Sequence, residues 1–154
     1  MAEVKGAPGV TLANVRAHAH LGRSSFPHMS VADSEVWRRF LTAPPVEFDR
    51  IDYDVALGGS GVVRLGGEHE LKPMWHQLLK KRVDAVGLVG GQYWICEVKP
   101  VANMAALGQV LSYDWLASVE RGWAGKTRRV VVCGEIDADL PGVYEVFNVA
   151  VYVV

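Results

Sequence analysis

The sequence predicts an α/β fold, a central mixed β-sheet flanked by helices. Three observations predict it. Two apolar runs rich in β-branched residues, Val83–Val89 and Tyr93–Val98, are joined by Gly90-Gly91, which supplies the positive φ of a two-residue hairpin. Helical patterns flank that pair, at about Val31–Leu41 and about Asn103–Glu120. A further apolar run, Val130–Cys133, follows the second helix. With 154 residues, half of them hydrophobic and five of them Trp, a single domain with a well-filled core is expected.

The elements follow in order. Met1–Met29 is weakly patterned and reads as an arm or irregular lead-in, docked on the body or on another subunit; residues 30–154 form the domain. His18 and His20 flank Ala19, but no carboxylate or cysteine accompanies them as a metal site would require; with Arg16 and Arg23 they are better suited to a phosphate backbone. Ser30 is an N-cap, and Asp33 and Glu35 sit in the first turns of the helix, where negative charge suits its dipole. Val36, Trp37, Phe40 and Leu41 form its apolar stripe, and Pro44-Pro45 stops it. Ile51–Leu57 alternates as a half-exposed strand, with Asp52 and Asp54 on its polar side. Gly58-Gly59-Ser60-Gly61 is a turn; no Gly-Lys-Ser/Thr follows, so it lacks the features of a phosphate loop. Val62–Leu65 is a candidate return strand. The polar stretch Gly66–Lys81 contains Pro73, which limits any helix to Met74 onward. Its basic end, Lys80, Lys81 and Arg82, is the best local candidate for a DNA-backbone contact.

After the hairpin, Pro100 is expected to end the strand. The following helix turns Leu107, Val110, Leu111, Leu116 and Val119 mostly inward, and stacks Gln109 and Tyr113 on one face. Arg121–Arg129 is a polar connection holding Arg121, Lys126, Arg128 and Arg129, Val130–Cys133 a buried strand and Asp137–Gly142 a loop. Tyr144–Val154 is apolar and reads as one final strand or two short ones, able to pair with another subunit as a homo-oligomer.

The polar residues of the central hairpin carry the chemistry. Side chains alternate along a strand, so Ile95, Glu97 and Lys99 share one face while Trp94, Cys96 and Val98 take the other. A carboxylate and an ammonium on a mostly buried strand are costly unless paired or used. Asp84, on the neighbouring strand, is placed to approach Glu97, and two adjacent carboxylates repel unless a cation is present. Two carboxylates, a backbone carbonyl and waters suit the oxygen shell of Mg²⁺. A lysine beside that metal can orient a water or stabilise charge on a phosphate.

Asp84, then Glu97-Val98-Lys99 on the next strand, then Gln109-x-x-x-Tyr113 on the following helix, resembles the PD-(D/E)XK nuclease superfamily, and the trailing Gln and Tyr resemble its RecB-type exonuclease branch. The resemblance spans roughly Val31–Gly134; Val83 stands where the family name has proline. It implies a restriction-endonuclease-like core, Asp84 and Glu97 as ligands of Mg²⁺ (or Mn²⁺), a metal-bound Val98 carbonyl and Lys99 as the catalytic lysine. It also implies that Gln109 and Tyr113 contact the metal site or a DNA phosphate. An acid on the first helix often completes the site in that family, which makes Glu35 the candidate ligand and Asp33 the second choice.

The resulting expectation is a metal-dependent deoxyribonuclease, of the small size common in phage and mobile-element nucleases, with RNA not excluded as substrate and a Holliday-junction or RNA endonuclease on the same scaffold differing only in substrate. The alternative is a catalytically silent nuclease-like fold that serves as a nucleic-acid-binding or assembly module in a viral or repair complex. The net charge of −1 argues against a strongly basic nucleic-acid coat and leaves room for a local phosphate site. Cys96 and Cys133 read as reduced core residues, too few for a four-cysteine iron–sulfur cluster. No apolar run reaches membrane-spanning length and the N-terminus lacks a hydrophobic signal core, so a cytoplasmic protein without membrane partners is expected.

Overall fold

The computed structural model describes residues 20–23, 25–59 and 78–154. The candidate strand Val62–Leu65, most of the polar stretch that follows it, and His18 lie outside the described residues. The elements are α1 (Val31–Thr42), β1 (Arg50–Gly58), β2 (Lys80–Val89), β3 (Gln92–Ala102), α2 (Met104–Arg121), β4 (Thr127–Ile136), α3 (Pro141–Val146) and β5 (Val149–Val153). They build an α/β fold around a five-stranded sheet in the order β1-β2-β3-β4-β5. The sheet is mixed, with β1, β2 and β3 antiparallel in turn and β3, β4 and β5 parallel.

Local chemistry sets the helix ends. Ser30 and Asp33 close a reciprocal capping box on α1. The Asn103 side chain accepts from Ala106 N to start α2, and Gly122 ends that helix in the left-handed region (φ 67°). Gly90 and Gly91 turn the β2–β3 hairpin with φ of 54° and 84°.

The sheet separates two cores. The α1-side core holds Val36, Trp37, Phe40, Leu41, Phe48, Trp94, Cys96 and Val98; the α2-side core holds Leu57, Val83, Ile95, Val110, Tyr113, Val131 and Cys133. Phe26 is buried in the α1-side core and Leu21 and Met29 pack against it, so these lead-in residues are docked on the body. Both cysteines are buried and free.

Three expectations are corrected. β3 does not stop at Pro100 but runs to Ala102; the β3–β4 register skips the proline, whose missing N–H is tolerated there. Tyr144 begins no strand. It is buried within the short helix α3, and the final strand starts only at Val149. Val119 is exposed on α2, not inward; Tyr113 and Ala117 take the buried positions instead.

One irregularity positions the site. Tyr53 and Val55, two apart on β1, should share a face, yet Tyr53 packs on the α1 side and Val55 on the α2 side. Ala85 and Val83 on β2 divide the same way. The inversion falls at Asp54 and Asp84, whose expected pairing drops out of the ladder, and Asp54 has a left-handed φ of 54°. Pairing of β2 with β3 ends at Ala85–Cys96, while β2 stays with β1 back to Lys80 and β3 stays with β4 on to Ala102. The sheet therefore splits, and Asp84 stands at the vertex.

Candidate metal and phosphate site

Asp84 satisfies the split backbone. Its Oδ2 accepts from Val98 N at 2.9 Å, replacing the carbonyl that a continued ladder would supply. Both carboxylates are buried, Asp84 at 8% exposure and Glu97 at 1%. Lys99, half-buried, brings its Nζ to 2.8 Å from Glu97 Oε1 as an ion-pair contact. Glu97 Oε2 has no hydrogen-bond donor among the described residues.

Burial dominates the electrostatics. It raises the Glu97 pKa to about 7, with the Asp84 charge adding to the rise and Lys99 opposing it. Burial likewise lifts Asp84 to about 6 against the Val98 hydrogen bond and the Lys99 charge, with Asp33 adding to the rise. Burial pulls Lys99 down, but the contact with Glu97 and the fields of Asp84 and Asp33 outweigh it, so its pKa is raised. Tyr113, buried on α2, is pushed up to about 12 by burial first and the Glu97 field next. Gln109 Nε2 donates to its hydroxyl at 3.3 Å. Helix α2 thus sets the Gln109–Tyr113 pair against the carboxylates.

The structure therefore brings together Asp84, Glu97, Lys99, Tyr113 and Gln109. Val98 enters the site through its N–H. Glu35 is not brought in; its side chain is 65% exposed and lies 4.0 Å from Arg38 Nη1. The α1 acid whose field reaches the site is Asp33, although its carboxylate is engaged by Ser30 N and Oγ at 3.1 and 2.7 Å. Lys80, partly buried, and Lys81, exposed, begin β2, while Arg82 Nη1 lies 3.2 Å from Asp54 Oδ2. From the sequence, Asp54 reads as a solvated charge or a group supporting the site from the polar face of its strand, and His28 as part of the lead-in. Asp54 also takes His28 Nε2 at 3.3 Å, and no residue pattern announces a contact between a loop histidine and a strand aspartate.

The donor set bears on which cation would fit. Among the described residues no group of three His, Cys, Asp or Glu converges on a point. Two mutually repelling carboxylates, with one buried oxygen lacking a donor, fit a cation that takes one or two carboxylates and completes its shell with water and substrate phosphate, as Mg²⁺ does. No helix among the described residues is long and apolar enough to cross a membrane. Comparison with protein-family models, curated proteins and solved structures found no match for this chain.

Proposed function

We propose that this chain is a Mg²⁺- or Mn²⁺-dependent deoxyribonuclease with a restriction-endonuclease-like core. The supporting observation is the burial of Asp84 and Glu97 beside Lys99 at the point where the sheet splits. A fold seeking only stability would place apolar side chains there. The chain order of these residues, with Gln109 and Tyr113 on the next helix, resembles the PD-(D/E)XK nucleases and supports the same reading.

Asp84 and Glu97 would hold the metal, which when bound supplies positive charge to polarise the scissile phosphate. Lys99 keeps its proton, because the carboxylates beside it raise its pKa. Its role is therefore to orient the attacking water or to stabilise charge on the phosphate, rather than to act as the base. Gln109 offers an amide to a substrate phosphate, and Tyr113 braces that amide from the buried side of α2.

Linear, circular, single-stranded and branched DNA incubated with the purified chain and Mg²⁺ or Mn²⁺ tests this. Cleavage is expected, and Lys99→Ala or Glu97→Ala should lower its rate by about 10²-fold or more without unfolding the protein. Cleavage that survives both substitutions places the chemistry elsewhere. DNA binding without cleavage of any substrate favours a silent binding module.

A further inference from the structure

The second cluster beside the split is built around Asp54. Its backbone is left-handed at φ 54°, as is that of His28 at φ 56°, and neither is glycine. Such conformations persist where surrounding contacts impose them, and they collect at functional sites. The contacts are visible here. Asp54 Oδ2 lies 3.3 Å from His28 Nε2 and 3.2 Å from Arg82 Nη1. One carboxylate oxygen gathers an imidazole from the lead-in turn and a guanidinium from β2. Arg82 precedes Asp84 by two residues on the branch of β2 that has left β3, and the charge of His28 is felt at Asp84. The His28 and Arg82 side chains remain 59% and 37% exposed. Asp54 takes one nitrogen of each, and among the described residues no partner takes the remaining donors of the five-donor guanidinium and the two-nitrogen ring.

The geometry points to a phosphate clamp: His28 and Arg82, held together by Asp54, bind the phosphate next to the scissile one on a DNA strand lying across Asp84 and Glu97. The identity of the ligand rests on the nuclease reading. The placement rests on the cluster itself, Arg82 on one branch of the split with His28 of the lead-in turn beside it through Asp54, and the carboxylate pair at the vertex. A positively charged fork is the group that recognises phosphate oxygens.

Anisotropy of labelled single-stranded and duplex oligonucleotides with the full chain in Ca²⁺, over a salt series, tests the clamp. Arg82→Ala should weaken binding and reduce the magnitude of the slope of log K against log[salt] by about 0.7 on single strands and about 0.9 on duplex. Arg82→Lys should keep the slope while weakening binding, which secures the test if the alanine variant unfolds. His28→Ala should weaken binding roughly tenfold. Asp54→Asn tolerates the left-handed backbone and makes the chain one unit more positive. A general positive field requires that variant to bind more tightly; the clamp requires weaker binding, because its organiser is gone. An unchanged slope in Arg82→Ala, tighter binding by Asp54→Asn, or no binding by the wild type overturns the proposal. If Lys99-dependent cleavage is seen while the slope stays at its wild-type value, the clamp falls and the nuclease stands. If the slope is reduced but no DNA is cleaved, His28 and Arg82 stand as a phosphate-binding pair and the nuclease falls.

Discussion

Replacing Glu97 by Met should make the metal-free protein more stable, and the gain should depend on pH. Burial lifts the Glu97 pKa from its ordinary 4.5 to about 7 in a position that is 1% exposed. The folded state therefore binds a proton that the unfolded chain has released between those values. The Glu97 contribution to wild-type stability is fully present below about pH 4.5, falls as pH rises, and is lost above about pH 7. At about 1.4 kcal/mol per pH unit between unfolded and folded values, the loss from pH 5 to pH 8 is on the order of 2–3 kcal/mol. Methionine fills similar space and carries no charge, and the half-buried Lys99 can reach water once its partner is gone. Urea unfolding in EDTA at both pH values measures the effect. The stability gap between Glu97→Met and wild type should be wider at pH 8 by that amount. Mg²⁺ at a hundredfold excess over its dissociation constant should return about 2.7 kcal/mol to the wild type and nothing to the variant. A gap that does not change with pH, or equal stabilisation of both proteins by Mg²⁺, refutes the view that Glu97 is held at a cost for a cation.

Three further outcomes follow from the packing and the hydrogen bonds. Asp84→Ala strands the buried Val98 N–H and should cost about 1–3 kcal/mol in urea unfolding, whereas Asp84→Asn can still accept that bond and should keep the fold while losing metal-dependent stabilisation. A Cβ at Gly87 would overlap the buried Phe48 ring, which also meets Trp94 edge-on, so Gly87→Ala should destabilise by about 1–3 kcal/mol and lower the melting temperature by several degrees. Tyr144 Oη donates to Asn103 O at 2.7 Å, tying α3 to the start of α2, and Tyr144→Phe should lose about 1 kcal/mol by the same measurement.

The sequence was most legible where local rules act alone. The extent of α2 could be read from Asn103 and from apolar spacing, because capping and periodicity are properties of the segment itself. The hairpin could be read from Gly90-Gly91 for the same reason. Asp84, Glu97 and Lys99 stood out because charge in an apolar strand breaks the pattern that burial imposes, and the structure places them together. Legibility failed where tertiary context decides. Pro100 is tolerated because the β3–β4 register steps over it. Tyr144–Val146 is helical because Tyr144 packs into the α2-side core and its hydroxyl finds Asn103, and the apolar run around it carried no signal of that. Glu35 and Asp33 are both plausible first-helix acids, and only the docking of α1 shows which one faces the carboxylates. The face inversion at Asp54 was hidden because the run from Ile51 to Leu57 alternates cleanly in sequence while its backbone changes hand at the centre.

That inversion links the fold to the site. A regular sheet would pair Asp84 across to β1 and continue the β2–β3 ladder past Cys96, leaving no opening between those strands. With both β1 and β2 turning over at the same level, β2 swings away with β1, and β3 is left to pair with β4. The separation exposes one backbone donor, Val98 N, which Asp84 takes with one carboxylate oxygen. Asp84 thereby has a structural task that fixes its position, close enough to Glu97 for its charge to add to the rise that burial gives the Glu97 pKa. The cores on both sides of the sheet, with Trp37 and Phe40 on one and Val110 and Tyr113 on the other, are what hold two like charges in place against repulsion. A site assembled this way buries the carboxylates and leaves the Arg82 side chain partly exposed. Substitutions at the vertex should therefore trade stability against metal dependence, and substitutions along the branch should alter substrate binding with little effect on the fold.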